Sequence, residues 1–160
     1  MEEFDIAIIG GGPAGIMAAI AASADLNVVL LEKNSSLGSK LLITGGGRCN
    51  ITNEKPIKKL LNSFHDKNFL KHSFYTFTNE MLLDLFRNRG LDFIVEDNNR
   101  VFPETEKSQD ILAILKYYLK DITIKYNYEV SDIKKEDNFI INNDIIAEKV
   151  IIATGGATFP

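Results

Sequence analysis

A stretch without charge near the amino terminus constrains the fold of this chain most strongly. Residues 6–24 contain no charged side chain, and this uncharged stretch is about as long as a membrane span. Three glycines and a proline at 10–13 interrupt it, and the apolar residues run continuously before them and at helical spacing after them. This pattern predicts a buried strand over 4–9, a tight turn and a helix over 13–24. A second apolar run at 28–31 predicts the next strand, so the segment indicates a strand–helix–strand unit rather than a membrane helix.

The turn carries the spacing G-x-G-x-x-G at Gly10, Gly12 and Gly15. In a dinucleotide-binding turn the first glycine permits the tight bend, the second lets backbone approach a pyrophosphate, and the third lets the helix pack on the strand. The helix amino terminus then offers amide donors and partial positive charge. Glu32 ends the second predicted strand, where it can accept hydrogen bonds from a ribose diol, and its charge disfavours a 2′-phosphate. The turn therefore predicts FAD or NAD, with the adenosine half bound here.

Two later features favour flavin over nicotinamide. Three consecutive glycines at 45–47 let backbone approach a flat ligand, and Lys40 and Arg48 can offset pyrophosphate charge. The last predicted strand runs into Ala-Thr-Gly-Gly at 153–156 after a hairpin turn at 142–144. A simple NAD dehydrogenase is expected to show further strand–helix units here instead. An NAD-linked dehydrogenase and a non-catalytic remnant that binds no dinucleotide remain the alternatives.

Several motifs spread along the chain carry a resemblance to a known family. They are GGGPAG at 10–15, EKN at 32–34, KLLITGGGRCNITN at 40–53, RVFPETEKSQDIL at 100–112 and VIIATGGATFP at 150–160. On these motifs the chain resembles the FAD-dependent oxidoreductases called NAD(P)/FAD-dependent oxidoreductases or aminoacetone oxidase family FAD-binding enzymes. The resemblance implies an α/β, Rossmann-like FAD-binding domain of the two-dinucleotide-binding-domain type, related to glutathione reductase, with a β-meander crossover. It also implies FAD as cofactor, NAD(P)H as a candidate electron donor, and hydride or electron transfer with a small molecule.

The resemblance further implies which residues contact FAD. The turn at 10–15 would hold pyrophosphate, Glu32 the adenosine ribose and the backbone of Val130 the adenine, while 44–50 would lie near pyrophosphate and ribityl. The predicted cofactor-binding residues are Gly10, Gly12, Pro13, Ala14, Gly15, Glu32, Lys33, Lys40, Thr44, Gly45, Gly46, Gly47, Arg48, Cys49, Asn50, Val130, Ala153, Thr154, Gly155 and Gly156. No residue is assigned as a catalytic acid or base, and no metal site is expected.

The whole chain, 1–160, is predicted to be the amino-terminal part of one FAD-binding domain. Its predicted segments are the strand–helix–strand unit (4–32), a glycine-rich loop (34–53), a helical and loop insertion (54–120), and a strand (122–130) followed by a meander (to 153). Family members are much longer, so we expect a second domain, and a carboxyl-terminal return segment that completes the flavin site, to be absent from these residues.

Within the insertion, the patterns predict three elements. A helix is expected over 79–89, with Asn79 as its N-cap and Gly90 just past its end. A short strand is expected over 92–96, and an amphipathic helix over 108–119.

Composition limits the partners. A net charge of −4 and a pI near 5.2 argue against a nucleic-acid binder. The single cysteine, Cys49, excludes a disulfide framework and is expected to be packed rather than reactive. The chain opens without a basic segment, so we expect a cytoplasmic protein with a small-molecule substrate, no nucleic acid and no membrane. The oligomeric state is left open.

Two segments allow more than one interpretation. Residues 100–103 are either a substrate-facing loop, in which Arg100 binds an anion, or a loop anchored by Phe102. The phenylalanines at 64–77 are expected to form a small satellite core rather than a lid or a partner surface. The lysines at 55–59 are expected to be a solvated face.

Overall fold

A computed structural model describes residues 1–156 in two compact units. The first unit contains residues 1–41 and the chain from Leu115 onward, and the second contains residues 42–114. The strands are β1 (Glu2–Ile9), β2 (Val28–Leu31), β3 (Thr52–Asn53), β4 (Phe93–Glu96), β5 (Arg100–Pro103), β6 (Thr123–Lys125), β7 (Ile133–Lys135), β8 (Phe139–Ile141) and β9 (Ile145–Ile152). The helices are α1 (Pro13–Ala22), α2 (Ser39–Ile43), α3 (Ile57–Leu61), α4 (Lys67–Thr76), α5 (Asn79–Arg87) and α6 (Ser108–Tyr118). The last four residues of the motif at 150–160 lie outside the described residues.

The first unit is built on a six-stranded sheet in the order β6-β2-β1-β9-β8-β7. The four strands β6, β2, β1 and β9 are parallel, and β8 and β7 add to them as an antiparallel meander. Ile9 is in register with Leu31 on one side and Ile152 on the other, so the carboxyl ends of three strands meet at one edge. In open parallel sheets, ligands bind at that edge.

The sheet of the first unit carries a buried apolar cluster. It is formed by Ala7, Ile9, Val29, Leu31, Ile141, Ile145 and Ala147. Because the last four residues of β1 and all four residues of β2 are buried, these strands read in sequence as continuous apolar runs rather than alternating ones. Burial of such side chains contributes about 25 cal/mol per Å² and is the main source of stability in a unit of this kind.

The second unit contains a three-stranded antiparallel sheet in the order β3-β5-β4 and the short helices α3, α4 and α5. Val101 and Phe102 on the central strand β5 are almost completely buried. Arg100 stays exposed at the start of the same strand.

Several predicted elements are confirmed. The strand at 28–31 and the helix that begins at Pro13 form where the apolar pattern places them. The helix predicted over 108–119 forms as α6, which ends at Tyr118, and the predicted apolar residues Ile111, Leu112, Leu115 and Leu119 are all buried. The turn at 142–144 joins β8 to β9, and Asn142 and Asn143 take φ values of +49° and +59°, as a tight hairpin requires.

Other expectations are wrong in the first half of the chain. The predicted loop at 34–53 contains α2 and a 3-10 turn over Thr44–Gly47, because the run Ser-Lys-Leu-Leu-Ile can form a helical turn that buries Leu41. The N-cap of α5 is Thr78, whose hydroxyl accepts a hydrogen bond from the Met81 N–H at 3.2 Å. Asn79 instead donates its side-chain amide to the carbonyl oxygen of Asn53 at 2.8 Å.

Three further corrections concern the later segments and the aromatic residues. Residues 100–103 are the strand β5 rather than a loop. The predicted strand at 122–130 stops at Lys125, because Asn127 takes a φ of +52° and turns the chain. The satellite core expected at 64–77 is reduced to one ring pair, in which Phe64 lies 5.4 Å from the half-buried Phe74 between ring centroids, and α4 buries none of its residues fully. Over residues 1–156, no helix has both the length and the apolar character needed to cross a membrane.

Candidate dinucleotide-binding site

The turn between β1 and α1 is glycine-rich because backbone atoms approach it closely. Gly10 has a φ of +109°, and a Cβ placed on it would lie 2.5 Å from the carbonyl oxygen of Ala153. A Cβ on Gly15 would lie only 1.8 Å from the carbonyl oxygen of Gly10. The amide of Ala153 donates to the Ile9 carbonyl at 2.8 Å, which ties the end of β9 to the turn. At Gly10 and Gly15 the protein itself therefore excludes a side chain.

Gly12 has a different environment. A Cβ at this position would meet no heavy atom within 4 Å, and its φ of −78° is one that any residue adopts. Neither protein contacts nor backbone conformation require glycine here. The position leaves open space at the amino terminus of α1, where a ligand could approach the main chain.

Within the described residues, the first turn of α1 has no side-chain cap and no acidic residue. Gly12 is the N-cap and supplies no side-chain cap, Pro13 occupies the first turn, and that turn contains no acidic residue. A ten-residue helix presents amide donors and partial positive charge at such an end. This end is therefore suited to an anion.

Glu32 lies beside the turn and is only 7% exposed. Its Oε2 accepts a hydrogen bond from the Gly11 N–H at 2.7 Å, and its Oε1 accepts from the backbone and side-chain amides of Asn34, both at 2.7 Å. A carboxylate has about four acceptor positions, so these three bonds orient it and leave capacity for a further donor such as a hydroxyl.

Three residues beside the turn were not assigned from the sequence. Asn34 orients Glu32, and its position two residues after the acid in the EKN motif was the available signal. Leu37 covers Gly11, where a Cβ would lie 2.3 Å from the Leu37 Cδ2. The Gly38 N–H donates to the Gly11 carbonyl oxygen at 2.9 Å. These contacts hold the segment after β2 against the turn.

The side chain of Lys40 contacts the segment that follows β9, within the first unit. Its Nζ donates to the carbonyl oxygen of Gly156 and lies 4.0 Å from where a Cβ on Gly155 would stand. The ammonium group is therefore at the segment 153–156, which is predicted from the sequence to contact the same ligand. Lys33 is exposed, and Val130 is half-buried against the apolar cluster of the sheet.

The second glycine-rich turn, over Thr44–Gly47, belongs to the second unit. Gly45, Gly46 and Gly47 all have positive φ, at 57°, 69° and 88°. Cys49 also has a positive φ, of 62°, and is 4% exposed. Burial raises the pKa of its thiol, which favours the protonated form, as expected for a packed cysteine.

Arg48 is engaged by two acidic side chains of the second unit. Its Nη1 lies 2.6 Å from Glu96 Oε1 and 3.0 Å from Glu106 Oε1. The guanidinium also stacks 4.1 Å from the centre of the Phe102 ring. The hydrogen bond from Arg48 lowers the pKa of Glu96. The predicted contact between Arg48 and pyrophosphate would have to compete with both carboxylates.

The predicted site residues therefore divide between the two units. The first unit holds Gly10, Gly12, Pro13, Ala14, Gly15, Glu32, Lys33, Lys40, Val130, Ala153, Thr154, Gly155 and Gly156, and the second holds Thr44, Gly45, Gly46, Gly47, Arg48, Cys49 and Asn50. In the part of the chain that the structure describes, no cluster of three or more His, Cys, Asp or Glu side chains could hold a metal ion.

Known proteins are similar to this chain in sequence and in fold. A family profile, the HI0933-like protein Rossmann domain, matches residues 4–160. The 3-dehydro-bile acid delta(4,6)-reductase of Clostridium scindens is 33% identical over 94% of this chain and 39% of its own length. The ribosomal RNA dihydrouridine synthase of Escherichia coli is 31% identical over 100% of this chain and 41% of its own length. The chain thus spans about two fifths of the length of these relatives.

The fold is also shared with a solved structure. The open conformation of a flavocytochrome c3 fumarate reductase superposes with a TM-score of 0.69 and 21% identity, over 97% of this chain and 34% of that chain. At that identity the likeness shows the fold alone. Together with the family match, it establishes that the chain belongs to the HI0933-like family and is an α/β Rossmann domain of the FAD-binding type.

Proposed function

We propose that this domain binds FAD through the turn at 10–15 and forms the flavin-binding part of an oxidoreductase. The observation that carries the proposal is Gly12, where glycine is needed neither for packing nor for backbone conformation. A pyrophosphate that approaches the main chain at the start of α1 explains the missing side chain.

The residues of the first unit supply the contacts that an FAD dinucleotide needs. The first amides of α1 would bind the pyrophosphate oxygens, with charge assistance from the helix end. Glu32, already oriented by Gly11 and Asn34, would accept hydrogen bonds from the ribose hydroxyls. Lys40 would exchange its hydrogen bond with the Gly156 carbonyl oxygen for a contact with a phosphate oxygen, and so offset the phosphate charge. When bound, FAD supplies the hydride and electron chemistry, and the protein supplies binding, orientation and the electrostatic environment.

The same turn could hold NAD instead, because the adenosine diphosphate half is common to both ligands. We favour FAD because the family to which the chain belongs carries the FAD-binding type of this fold. NAD(P)H as the electron donor is a further part of the proposal.

The reaction class is proposed from the relatives. A bile acid delta(4,6)-reductase and a dihydrouridine synthase both add hydrogen across a carbon–carbon double bond, as their names state. We infer that the oxidoreductase containing this domain reduces a carbon–carbon double bond of its substrate. A small molecule is the first candidate, in keeping with the net charge of −4. Uridine in ribosomal RNA is the second, because that relative matches the whole of this chain.

The cofactor proposal is tested by titrating FAD into the protein produced from the complete reading frame, with bound flavin followed by its absorbance near 450 nm. We expect Gly12→Ala to weaken FAD binding about tenfold or more, roughly 1.4 kcal/mol, while the melting temperature stays unchanged. Glu32→Gln should also weaken binding, because it replaces one oxygen acceptor beside the Gly11 N–H, where the ribose hydroxyls would bind, with an amide donor. Glu3→Gln, an exposed acid of β1, is the matched control for the loss of charge.

Two results would contradict the proposal: preferential binding of NADH over FAD, or an unchanged FAD affinity in Gly12→Ala. The substrate classes are separated by supplying the reduced holoprotein with a conjugated steroid ketone or with ribosomal RNA. Mass spectrometry then reports which compound gains two hydrogen atoms.

A further inference from the structure

One segment of the chain has a charge opposite to that of the rest. Residues 54–76 contain five lysines and two carboxylates and so carry a net charge of +3. The rest of the chain carries a net charge of −7, which gives the total of −4. The lysines are Lys55, Lys58, Lys59, Lys67 and Lys71. Apart from Lys55, which is half-buried, all of them are exposed on or beside α3 and α4. The overall acidity of the protein therefore conceals a basic region.

The charges of these lysines are not neutralised locally. Within residues 1–156, none of the five takes part in an ion pair. By contrast, Arg48, Arg87 and Arg100 of the same unit each pair with at least one carboxylate. The basic side chains of 54–76 thus remain available to an anionic partner.

Aromatic rings are interleaved with these lysines and are exposed. Phe69 is 79% exposed, Tyr75 55%, and Phe64 and Phe77 41% each. The spacing in α4 places Lys67, Lys71 and Tyr75 on one helical face, four residues apart. Lysines that can contact phosphates and rings that can stack on bases are the two components of single-stranded nucleic-acid binding.

The aliphatic residues of these helices argue against a membrane as the partner. Leu61 is buried, and Ile57, Leu60 and Leu70 are half-buried. A helix that lies in a membrane surface presents a continuous aliphatic and aromatic face separate from its basic face. Here the exposed rings alternate with lysines and histidines instead, so bases rather than lipid tails are the fitting contact.

We propose that α3 and α4, with the segment between them, form an RNA-binding surface that recognises unpaired nucleotides. This surface, called here the basic-aromatic surface, comprises residues 54–77. The inference rests on the second substrate candidate of the proposed function. It contrasts with the expectation, drawn from the overall charge, that the protein binds no nucleic acid.

The test measures binding of a fluorescent single-stranded RNA containing uridines to the protein from the complete reading frame, as a function of salt. A quadruple variant replaces Lys58, Lys59, Lys67 and Lys71 with Gln. In this variant the plot of log affinity against log salt should become shallower, its slope decreasing in magnitude by about 3. Tyr75→Ala, which removes the exposed ring on the same face of α4 as Lys67 and Lys71, should weaken binding about tenfold at constant salt, with no change of slope. A control variant removes the same charge elsewhere, with Lys116, Lys134, Lys135 and Lys149 replaced by Gln, and should bind RNA almost normally.

Each outcome decides the proposal. It is overturned if the quadruple variant and the control lose the same affinity, if the wild-type protein binds no RNA, or if it binds anionic phosphatidylserine vesicles in preference to RNA. FAD titration of the same variants keeps the two proposals distinguishable, because the lysines lie outside the turn at 10–15 and should not alter flavin binding. Normal FAD binding without RNA binding removes this inference alone, whereas RNA binding without FAD removes only the cofactor proposal.

Discussion

The turns at residues 10–15 and 44–47 are both rich in glycine, yet the atoms around them differ. In the first turn, a Cβ on Gly15 would stand 1.8 Å from a carbonyl oxygen, and one on Gly10 would stand 2.5 Å from another. In the second, a Cβ on Gly46 would meet nothing within 4 Å, and the constraint is its φ of +69°. Close approach of backbone therefore requires glycine at Gly10 and Gly15, whereas at Gly46 the backbone conformation alone requires it.

The two turns also differ in the charged groups that follow them. The first turn ends at a helix amino terminus that has no acidic residue in its first turn. The second turn is followed by Arg48, whose charge is already paired with Glu96 and Glu106. Anion binding therefore fits the first turn, and glycine-rich sequence alone does not distinguish a ligand-binding turn from one that serves conformation.

The largest effect should come from Gly15→Ala. The added methyl group would collide with the Gly10 carbonyl oxygen, which neither the strand nor the helix can move easily. We expect a loss of about 3 kcal/mol or more in the free energy of unfolding, measured by urea titration. Gly12→Ala in the same turn is the control, and its stability should match the wild-type protein. Equal losses in both variants would contradict the distinction between packing and ligand space.

A smaller effect is expected from Gly46→Ala. Open space surrounds this glycine, so the cost is the strain of placing a side chain at a positive φ, about 1–2 kcal/mol. Gly46→Asn should recover part of that loss, since asparagine tolerates the left-handed conformation. Urea titrations of both variants test this, and an equal loss for alanine and asparagine would show that contacts rather than φ decide the position.

The smallest effect should come from Glu96→Gln, and it should depend on pH. Arg48 lowers the pKa of Glu96 in the folded protein below its ordinary value of 4.5. The folded state therefore binds fewer protons than the unfolded state, and this contribution to stability is present above pH 4.5 and lost as the pH falls through the lowered pKa.

The stability difference between the wild-type protein and Glu96→Gln should accordingly shrink on acidification below about pH 4.5. Glu104→Gln is the control, because this exposed carboxylate takes part in no ion pair among residues 1–156. A difference that stays constant from pH 7 to pH 3 would show that the Arg48–Glu96 pair does not stabilise the fold.

Local patterns predicted the parts of the fold that depend on neighbouring residues. The apolar run of β2, the proline and small residues of α1 and the Asn-Asn turn at 142–143 each specify their conformation within a few positions. The segment 34–53 was wrongly predicted as a loop, because its short helix α2 is only five residues long and has no helical period to detect. The aromatic residues of α4 show the same limit, since aromatic content predicted burial that the structure does not provide.

The sequence by itself determined the strand–turn–helix unit and the placement of an acid after β2, because these depend on the spacing of residues within about 30 positions. Only the tertiary structure decided that Arg48 faces Glu96, 48 residues away, and that Gly10 meets Ala153 across the sheet. Those contacts arise from strand order and register, which side-chain periodicity does not encode. The tertiary structure also decided which glycine is open to a ligand, since a Cβ on Gly15 would collide with the Gly10 carbonyl oxygen whereas one on Gly12 would meet nothing within 4 Å.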